Sequence, residues 1–254
     1  VQLRERALLA HRAAIRVTIS GPPGSGHELL AHWIHAHRPV SVRGPMQTLD
    51  CTLLDAELIQ MTYRDLVRGA RATDRPAGCL VLSGIDRLVE TGQQELVNLL
   101  RFPHVPFTTI VTTYKPLSEL VAAGTFDAEL AMRLDVLSID IPPLNQRLDD
   151  LPLLAHATLQ RAAVAARTEV AGWTDEALGQ LQRHLWSNNF QELRELAAKV
   201  VSEAAGPWVR PTDLPRHFGA AADDRSASTF RLDPFDLEAF LREVETELVR
   251  MALE

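Results

Sequence analysis

A glycine-rich run near the start of the chain constrains the fold more than any other feature. Gly21, Gly24 and Gly26 lie directly after the strand-like run 14–20 and directly before a helix-like segment at 28–36. A strand, a glycine turn and a helix in this order are the context of a phosphate-binding loop, whose backbone N–H groups point at phosphate oxygens. The same pattern also fits a tight strand-to-helix turn that binds nothing.

The residues after the last glycine depart from a complete phosphate-binding motif. That motif is Gly-x-x-x-x-Gly-Lys-Ser/Thr, in which the lysine contacts the terminal phosphates and the hydroxyl binds magnesium. Here His27 stands at the lysine position and Glu28 at the hydroxyl position. A neutral imidazole is shorter than lysine and carries no fixed charge at pH 7. We therefore predict that a cradle of glycines with Ser25 remains, without the clamp on the last phosphate.

Strand-like and helix-like segments alternate through the first part of the chain and then give way to helices. The strand-like runs are 14–20, 46–51, 79–82, 107–113 and 136–141. A helix-like segment at 93–100 lies among these strands, and the helix-like segments of the later part are 151–167, 174–184 and 191–204. The alternation predicts a parallel α/β sheet flanked by helices. We predict a P-loop α/β domain over 1–145, a small all-helical lid over 146–218, and a linker with a C-terminal helix over 219–254.

Charge, hydropathy and cysteine usage exclude several classes of function. The net charge of -7 gives no broad attraction to nucleic acid or anionic lipid, and no apolar run approaches the ~20 residues of a membrane span. Cys51 and Cys79 belong to no Cys-x-x-Cys pair, so we predict two buried free thiols in a reducing cytoplasm. The histidines between positions 27 and 37 lack the spacing of a metal site, and we expect no metal there.

An ordered series of short motifs runs from about residue 8 to residue 216. The helix after the glycine loop begins with Glu28, where most phosphate-binding loops have Ser or Thr. Later motifs lie at 50–54, 78–85, 126–134, 141–147 and 186–193. The run at 78–85 is similar to Gly-Thr-Leu-Phe-Leu-Asp-Glu-Ile, and the run at 186–193 to Trp-Pro-Gly-Asn-Val-Arg-Glu-Leu. In this order the motifs resemble the AAA+ domain of bacterial sigma-54-dependent transcription activators.

The resemblance implies which residues of the third strand would act in hydrolysis, and both are changed. Ser83 and Gly84 stand where the family has an aspartate that orients magnesium and a glutamate that polarises the attacking water. Ser83 could touch a magnesium-bound water, but Gly84 offers no base. Asp86 is the nearest carboxylate in sequence, and we interpret it as a helix N-cap or surface residue.

The family also contacts the nucleotide through residues outside the third strand, and most of these are replaced in this chain. Tyr114 stands in place of an asparagine at the end of the fourth strand. Of two arginines near the subunit boundary, the first is Asp127 and the second is retained as Arg133. Gln191 replaces the arginine of the small domain. Arg133 and Gln191 are therefore candidate nucleotide-side residues, although Arg133 also fits a surface salt bridge.

The family's sigma-54-contacting loop is the next departure. That loop, Gly-Ala-Phe-Thr-Gly-Ala, would lie between Leu58 and Gly78, where only Gly69 and Ala70 match it. The resemblance therefore gives no support for contact with sigma-54 RNA polymerase. The run from Phe235 to Glu254 resembles the segment that precedes the family's DNA-binding helix-turn-helix, so we expect no direct DNA binding by this sequence.

Together these residues predict a degenerate AAA+ module rather than an enzyme. We expect weak binding of ATP or ADP at most, with little dependence on magnesium. We also expect weak self-association, no membrane contact, and action through protein partners in bacterial transcription control or signalling in the cytoplasm. One alternative is an active ATPase that remodels sigma-54 polymerase. A second alternative is a purely structural docking domain with an empty cleft.

Overall fold

The computed structural model describes residues 2–12, 15–38, 44–73, 78–101, 107–203, 206–215 and 218. The predicted linker and C-terminal helix, at 219–254, lie outside these residues. The chain divides into two compact units. The first contains Gln2–Pro22 and Gly26–Ile141, and the second contains Pro23–Ser25 together with the residues from Pro142 onward. The domain limits at 145 and 218 stay predictions.

The first unit contains a five-stranded parallel sheet. Its strands are β1 Val17–Ser20, β2 Met46–Asp50, β3 Cys79–Ser83, β4 Thr108–Thr113 and β5 Leu137–Asp140. Their order across the sheet is β2-β3-β4-β1-β5, and all neighbours run parallel. Strands β1 and β4 lie at the centre of the sheet and are almost entirely buried, which explains their near-continuous apolar or β-branched sequence. The predicted fold class is confirmed.

Six helices accompany the sheet in the described part of this unit. They are α1 Gln2–Arg12, α2 His27–Ala36, α3 Ala56–Thr73, α4 Glu90–Leu100, α5 Leu117–Ala122 and α6 Ala128–Leu134. Of these, α2 and α4 match predicted helical segments. Helix α3 covers much of the stretch in which the sigma-54-contacting loop was sought, and its backbone is continuous helix through positions 69 and 70. Helix α4 packs against α3 and α6, and the three helices share one apolar core with β3 and β4.

The second unit is mainly helical. Its helices are α7 Leu151–Ala166, α8 Asp175–Arg183 and α9 Asn189–Glu203. Thr174 caps α8, because its hydroxyl accepts a hydrogen bond from the Ala177 N–H at 3.3 Å. The prediction of helices alone was wrong in one detail, since β6 Gly172–Trp173 and β7 Trp208–Val209 form a short parallel ribbon. Two-residue strands leave too short a pattern to be detected from sequence.

Both cysteines are buried and free, as predicted. Burial, together with the neighbouring Asp50 carboxylate, raises the pKa of the Cys51 thiol to about 12. Burial also raises the pKa of Cys79. Both thiols are therefore protonated and unreactive at neutral pH. Among the helices of the described residues, none has the length and apolar character needed to cross a membrane.

Candidate functional site

The predicted strand, turn and helix are present around the glycine loop. Strand β1 ends at Ser20, and α2 begins at His27 with Gly26 as its N-cap residue. Gly24 has a φ of 74°, and a Cβ at this position would lie 2.2 Å from the backbone oxygen of Asn188. Close packing against Asn188 and the left-handed backbone therefore explain the glycine at position 24 without any phosphate.

The tip of the loop, Pro23–Ser25, is bound through its carbonyl groups. The Asn189 side-chain amide donates to the Pro23 oxygen at 2.9 Å, and the Gln191 backbone N–H donates to the Gly24 oxygen at 3.0 Å. The Arg147 guanidinium donates to the Ser25 oxygen at 3.1 Å. Three consecutive carbonyls are thus satisfied by residues of the second unit. The Arg147 guanidinium is largely buried, and burial lowers its pKa.

His27 does not project as a lysine of a complete motif would. Its Nε2 lies 2.9 Å from the Gly21 carbonyl oxygen, which fixes Nε2 as the protonated nitrogen that donates this bond. Burial lowers the pKa of His27, against the opposing effects of the Gly21 bond and of the Asp86, Glu28 and Asp140 carboxylates. The imidazole is therefore neutral at pH 7. It closes the loop on itself and supplies no positive charge.

Tyr114 lies beside His27 at the end of β4. Its ring meets the imidazole edge-on, with centroids 5.8 Å apart, and the Arg87 guanidinium lies 5.4 Å from the centre of the same ring. The Asp86 carboxylate accepts a hydrogen bond from the Tyr114 backbone N–H at 3.3 Å. Of the two roles considered for Asp86, helix N-cap or surface residue, the first does not apply, because Gly84 is the N-cap of the 3₁₀ turn Ile85–Arg87. Asp86 instead accepts the bond from the end of β4.

The end of the third strand gives Gly84 a backbone conformation that other residues rarely adopt. Ser83 is the last residue of β3 and lies opposite Asp50 of β2. Gly84 has a φ of 68°, and its N–H donates to the Thr112 hydroxyl at 3.0 Å. A Cβ at Gly84 would lie 2.5 Å from a guanidinium nitrogen of Arg87, the end of a flexible side chain. A glutamate at this position would meet an unfavourable backbone conformation, and the Arg87 side chain would have to move.

The retained arginine is engaged within its own unit. Arg133 binds the Glu129 carboxylate at 2.7 Å, and Arg101 binds the same carboxylate at 3.0 Å. Hydrogen bonds from Arg101 and Arg133 hold the pKa of Glu129 at about 2. Asp127, at the position of the other arginine, caps α6 by accepting from the Leu130 N–H at 2.7 Å. Both side chains therefore have local structural roles.

Gln191 contributes through its backbone rather than its side chain. The side-chain amide donates along α9 to Glu195 at 2.8 Å, whereas the backbone N–H reaches Gly24. Glu28 is exposed on the first turn of α2. The sequence prediction missed Asn189 and Arg147, although both lie in the matched motifs. Consecutive asparagines directly before a helix are a turn signal that could have indicated the first of them.

The residues present do not fit a magnesium–nucleotide complex. Magnesium takes six oxygen ligands in octahedral geometry, usually waters and substrate phosphates with one or two carboxylates, and Ser83 and Gly84 stand where the family has carboxylates. His27, which stands at the lysine position, donates its Nε2 hydrogen bond to the Gly21 carbonyl. Among the residues that the structure describes, no group of three or more His, Cys, Asp or Glu side chains could hold a metal ion.

Comparison with known proteins identifies the family. The model of the sigma-54 interaction domain matches residues 1–144, and the model of an AAA+ ATPase lid domain matches residues 145–230. The chain belongs to the sigma-54 interaction domain family. Its two units thus correspond to the α/β and lid parts of a sigma-54-activator-like AAA+ domain.

The curated relatives are bacterial transcriptional regulators that are longer than this chain. The transcriptional regulatory protein ZraR of Escherichia coli O157:H7 is 32% identical over 276 residues, which cover 99% of this chain and 60% of ZraR. The DNA-binding transcriptional regulator NtrC of Proteus hauseri is 28% identical and is covered over 51% of its length. The chain therefore spans between half and two thirds of these relatives.

Solved structures share the fold at lower identity. NtrX from Brucella abortus in complex with ADP has a TM-score of 0.70 and 23% identity, over 97% of this chain and 60% of NtrX. The Thermotoga maritima RuvB Holliday junction branch migration motor has a TM-score of 0.55 and 18% identity, over 80% of this chain and 61% of RuvB. At these identities the likeness shows the AAA+ fold.

Proposed function

We propose that this chain is a non-hydrolysing regulatory AAA+ domain of a bacterial cytoplasmic transcription regulator, acting through protein association. The observation that carries the proposal is the bond from His27 to the Gly21 carbonyl. It ties the group at the lysine position to the loop itself, away from any phosphate. The backbone and packing of Gly84 support the same conclusion for the water-polarising position.

Weak, magnesium-independent binding of ADP-like ligands is the most that this loop supports. The glycines of the cradle remain, whereas the lysine, the magnesium ligands and the arginine of the lid are replaced. The ADP complex of the NtrX relative makes ADP the appropriate probe. ADP also lacks the terminal phosphate of ATP, so its binding does not require the contacts that are missing here.

Isothermal titration of ADP and ATP, each with and without magnesium, tests this proposal. We expect ADP to bind as well as or better than ATP, with a change of less than about threefold on adding magnesium, because no magnesium ligand set remains. Titration of adenosine alone is the control for binding through the base and sugar. Tight, magnesium-dependent ATP binding with weak ADP binding would contradict the proposal.

A docking domain that binds no nucleotide is the second candidate. The satisfied carbonyls of Pro23, Gly24 and Ser25 favour it, because the loop tip is held without a phosphate. The same titration separates the two candidates. Absence of heat with ADP at millimolar concentration would select the docking domain, and saturable ADP binding would select the regulatory module.

Self-association should be weak and independent of ATP. In the family that this chain resembles, arginines of one subunit contact the terminal phosphate of the next, so that ATP stabilises the ring. Here Asp127 caps a helix and Arg133 is paired with Glu129. A carboxylate in place of an arginine at ~4 Å from phosphate changes the interaction by a few kcal/mol near a protein surface. We expect a monomer or dimer whose sedimentation coefficient is the same with and without ATP.

The same sedimentation experiment tests the partner. Helix α3 is continuous through positions 69 and 70, where the family's sigma-54-contacting loop was sought. We therefore propose that partners are other proteins of a transcription or signalling complex, and that added sigma-54 does not co-sediment. A hexamer or heptamer that forms only with ATP, or a complex with sigma-54, would overturn this part of the proposal.

A further inference from the structure

Asn189 joins two backbone groups that are distant in sequence. It is the first residue of α9, has a φ of 50°, and is only 4% exposed. Its Nδ2 donates to the Pro23 oxygen at 2.9 Å, and its Oδ1 accepts from the Leu144 N–H at 2.8 Å. One partner is an acceptor and the other a donor, so the orientation of the amide group is determined. Only an amide of this length satisfies both.

Three further residues of the second unit contact the tip of the loop. Gln191 donates its backbone N–H to Gly24, Arg147 donates to Ser25, and the Asn188 backbone oxygen lies against Gly24. We call the four residues Arg147, Asn188, Asn189 and Gln191 the tip clasp. All four, and the tip itself, belong to the second compact unit.

The turn at 186–192 carries Asn188, Asn189 and Gln191 of the tip clasp and is stabilised by the Glu192 carboxylate. One oxygen of this carboxylate lies 2.5 Å from His184 Nε2, and the other accepts from the Asn188 N–H at 3.0 Å. His184 in turn stacks on Phe218, with ring centroids 4.0 Å apart. Trp186, buried beside them, adopts a φ of 50°. This bracing holds the unusual backbone conformations of the turn in place.

We propose that the tip clasp makes the tip of the glycine loop a structural part of the lid, ordered by protein contacts in the absence of nucleotide. Three consecutive carbonyls find their donors in the lid, and a buried Asn189 without its partners would cost free energy. The tip then gains and loses structure together with the lid. A partner that alters the turn at 186–192 would thereby alter the glycine loop. The inference rests on the proposed function, in which nucleotide does not organise the loop.

Two substitutions of Asn189 separate its two bonds. Asn189→Asp keeps an oxygen that accepts from Leu144 but removes the donor to Pro23 and places a carboxylate against that carbonyl. Asn189→Gly removes both bonds. Because glycine adopts the positive φ without strain, this variant can be measured even if the aspartate variant does not fold. Asn145→Ala is the matched control, because Asn145 is an exposed asparagine near the same turn.

Amide hydrogen exchange resolved to single residues measures the outcome. The reporters are the Gln191 N–H, bonded to Gly24, and the Leu144 N–H, bonded to Asn189. Both should be protected without nucleotide in the wild type and in Asn145→Ala. Asn189→Asp should raise the exchange rate of Gln191 about tenfold while leaving Leu144 protected, and Asn189→Gly should release both. Amides of β4 should be unchanged in every variant.

Two results would overturn the tip clasp. One is protection of the wild-type Gln191 amide only after ADP is added. The other is an unchanged Gln191 rate in both Asn189 variants. Failure of the proposed function is distinguishable, because it appears as tight magnesium-dependent ATP binding in the titration, whatever the exchange rates of these two amides.

Discussion

Purified protein should release phosphate from ATP at least about four orders of magnitude more slowly than an active member of the family assayed in parallel. Two electrostatic contacts to the transition state are missing, and each is typically worth about 3 kcal/mol, a combined factor of about ten thousand. His27 is buried, bonded to Gly21 and neutral, and Gly84 has no side chain to polarise water. The measurement is steady-state phosphate release at saturating ATP.

Restoring the family's residues should not restore the activity. The triple variant His27→Lys, Ser83→Asp and Gly84→Glu supplies the missing side chains, but the glutamate must adopt the positive φ at position 84, which is unfavourable for any residue with a Cβ. We expect phosphate release to remain at the level of the wild type. The double variant without Gly84→Glu is the matched control for folding, since it avoids the strained position.

Either of two outcomes would contradict this prediction. The first is wild-type phosphate release at a rate typical of the family that co-elutes with the protein and is lost in His27→Ala. The second is a triple variant as active as the family member, which would mean that the backbone at Gly84 adapts readily to a side chain.

Replacing Trp186 by alanine should lower the free energy of unfolding of the second unit by about 3–5 kcal/mol. This tryptophan is 2% exposed, and its Nε1 donates to the Leu181 oxygen at 2.9 Å. Its ring also meets those of His184 and Phe218. The variant therefore loses apolar burial and leaves the Leu181 carbonyl without this donor. Chemical denaturation followed by circular dichroism measures the change.

Trp208→Ala is the control for this prediction. Trp208 is 51% exposed on β7, so its removal should cost less than about 1.5 kcal/mol. The comparison isolates the effect of burial from the general effect of losing an indole. A Trp186→Ala variant within 1 kcal/mol of wild type, or a larger loss for Trp208→Ala, would show that the turn at 186–192 does not depend on the buried ring.

The parallel sheet could be predicted because its inner strands are short and buried on both faces. The run Cys79–Ser83 is apolar up to its last residue, and every residue of Thr108–Thr113 is β-branched, a composition that favours buried strands. Helices α1, α3, α5 and α6 were not predicted. In α3, Ile59 is buried and Tyr63 and Leu66 pack against the same core, a helical spacing that could have indicated this helix. The exposed Leu58 and Met61 obscure that pattern in the sequence.

The substitutions at the family's catalytic positions could also be read from the sequence, because the residue at one position is a local fact. Positions 27, 83 and 84 carry His, Ser and Gly in place of the family's Lys, Asp and Glu. The order of the motifs determines the family in the same way. These conclusions require no knowledge of which side chains meet.

Only the tertiary structure decided what the remaining residues do instead. His27 turns to the Gly21 carbonyl, Arg133 pairs with Glu129, and Asn189 binds Pro23, 166 positions away in the chain. A hydrogen bond depends on distances within a few tenths of an ångström, and these are set by the packing of whole elements. Sequence therefore determined the fold class and which residues stand at the family's catalytic positions, whereas packing determined the contacts that those residues make.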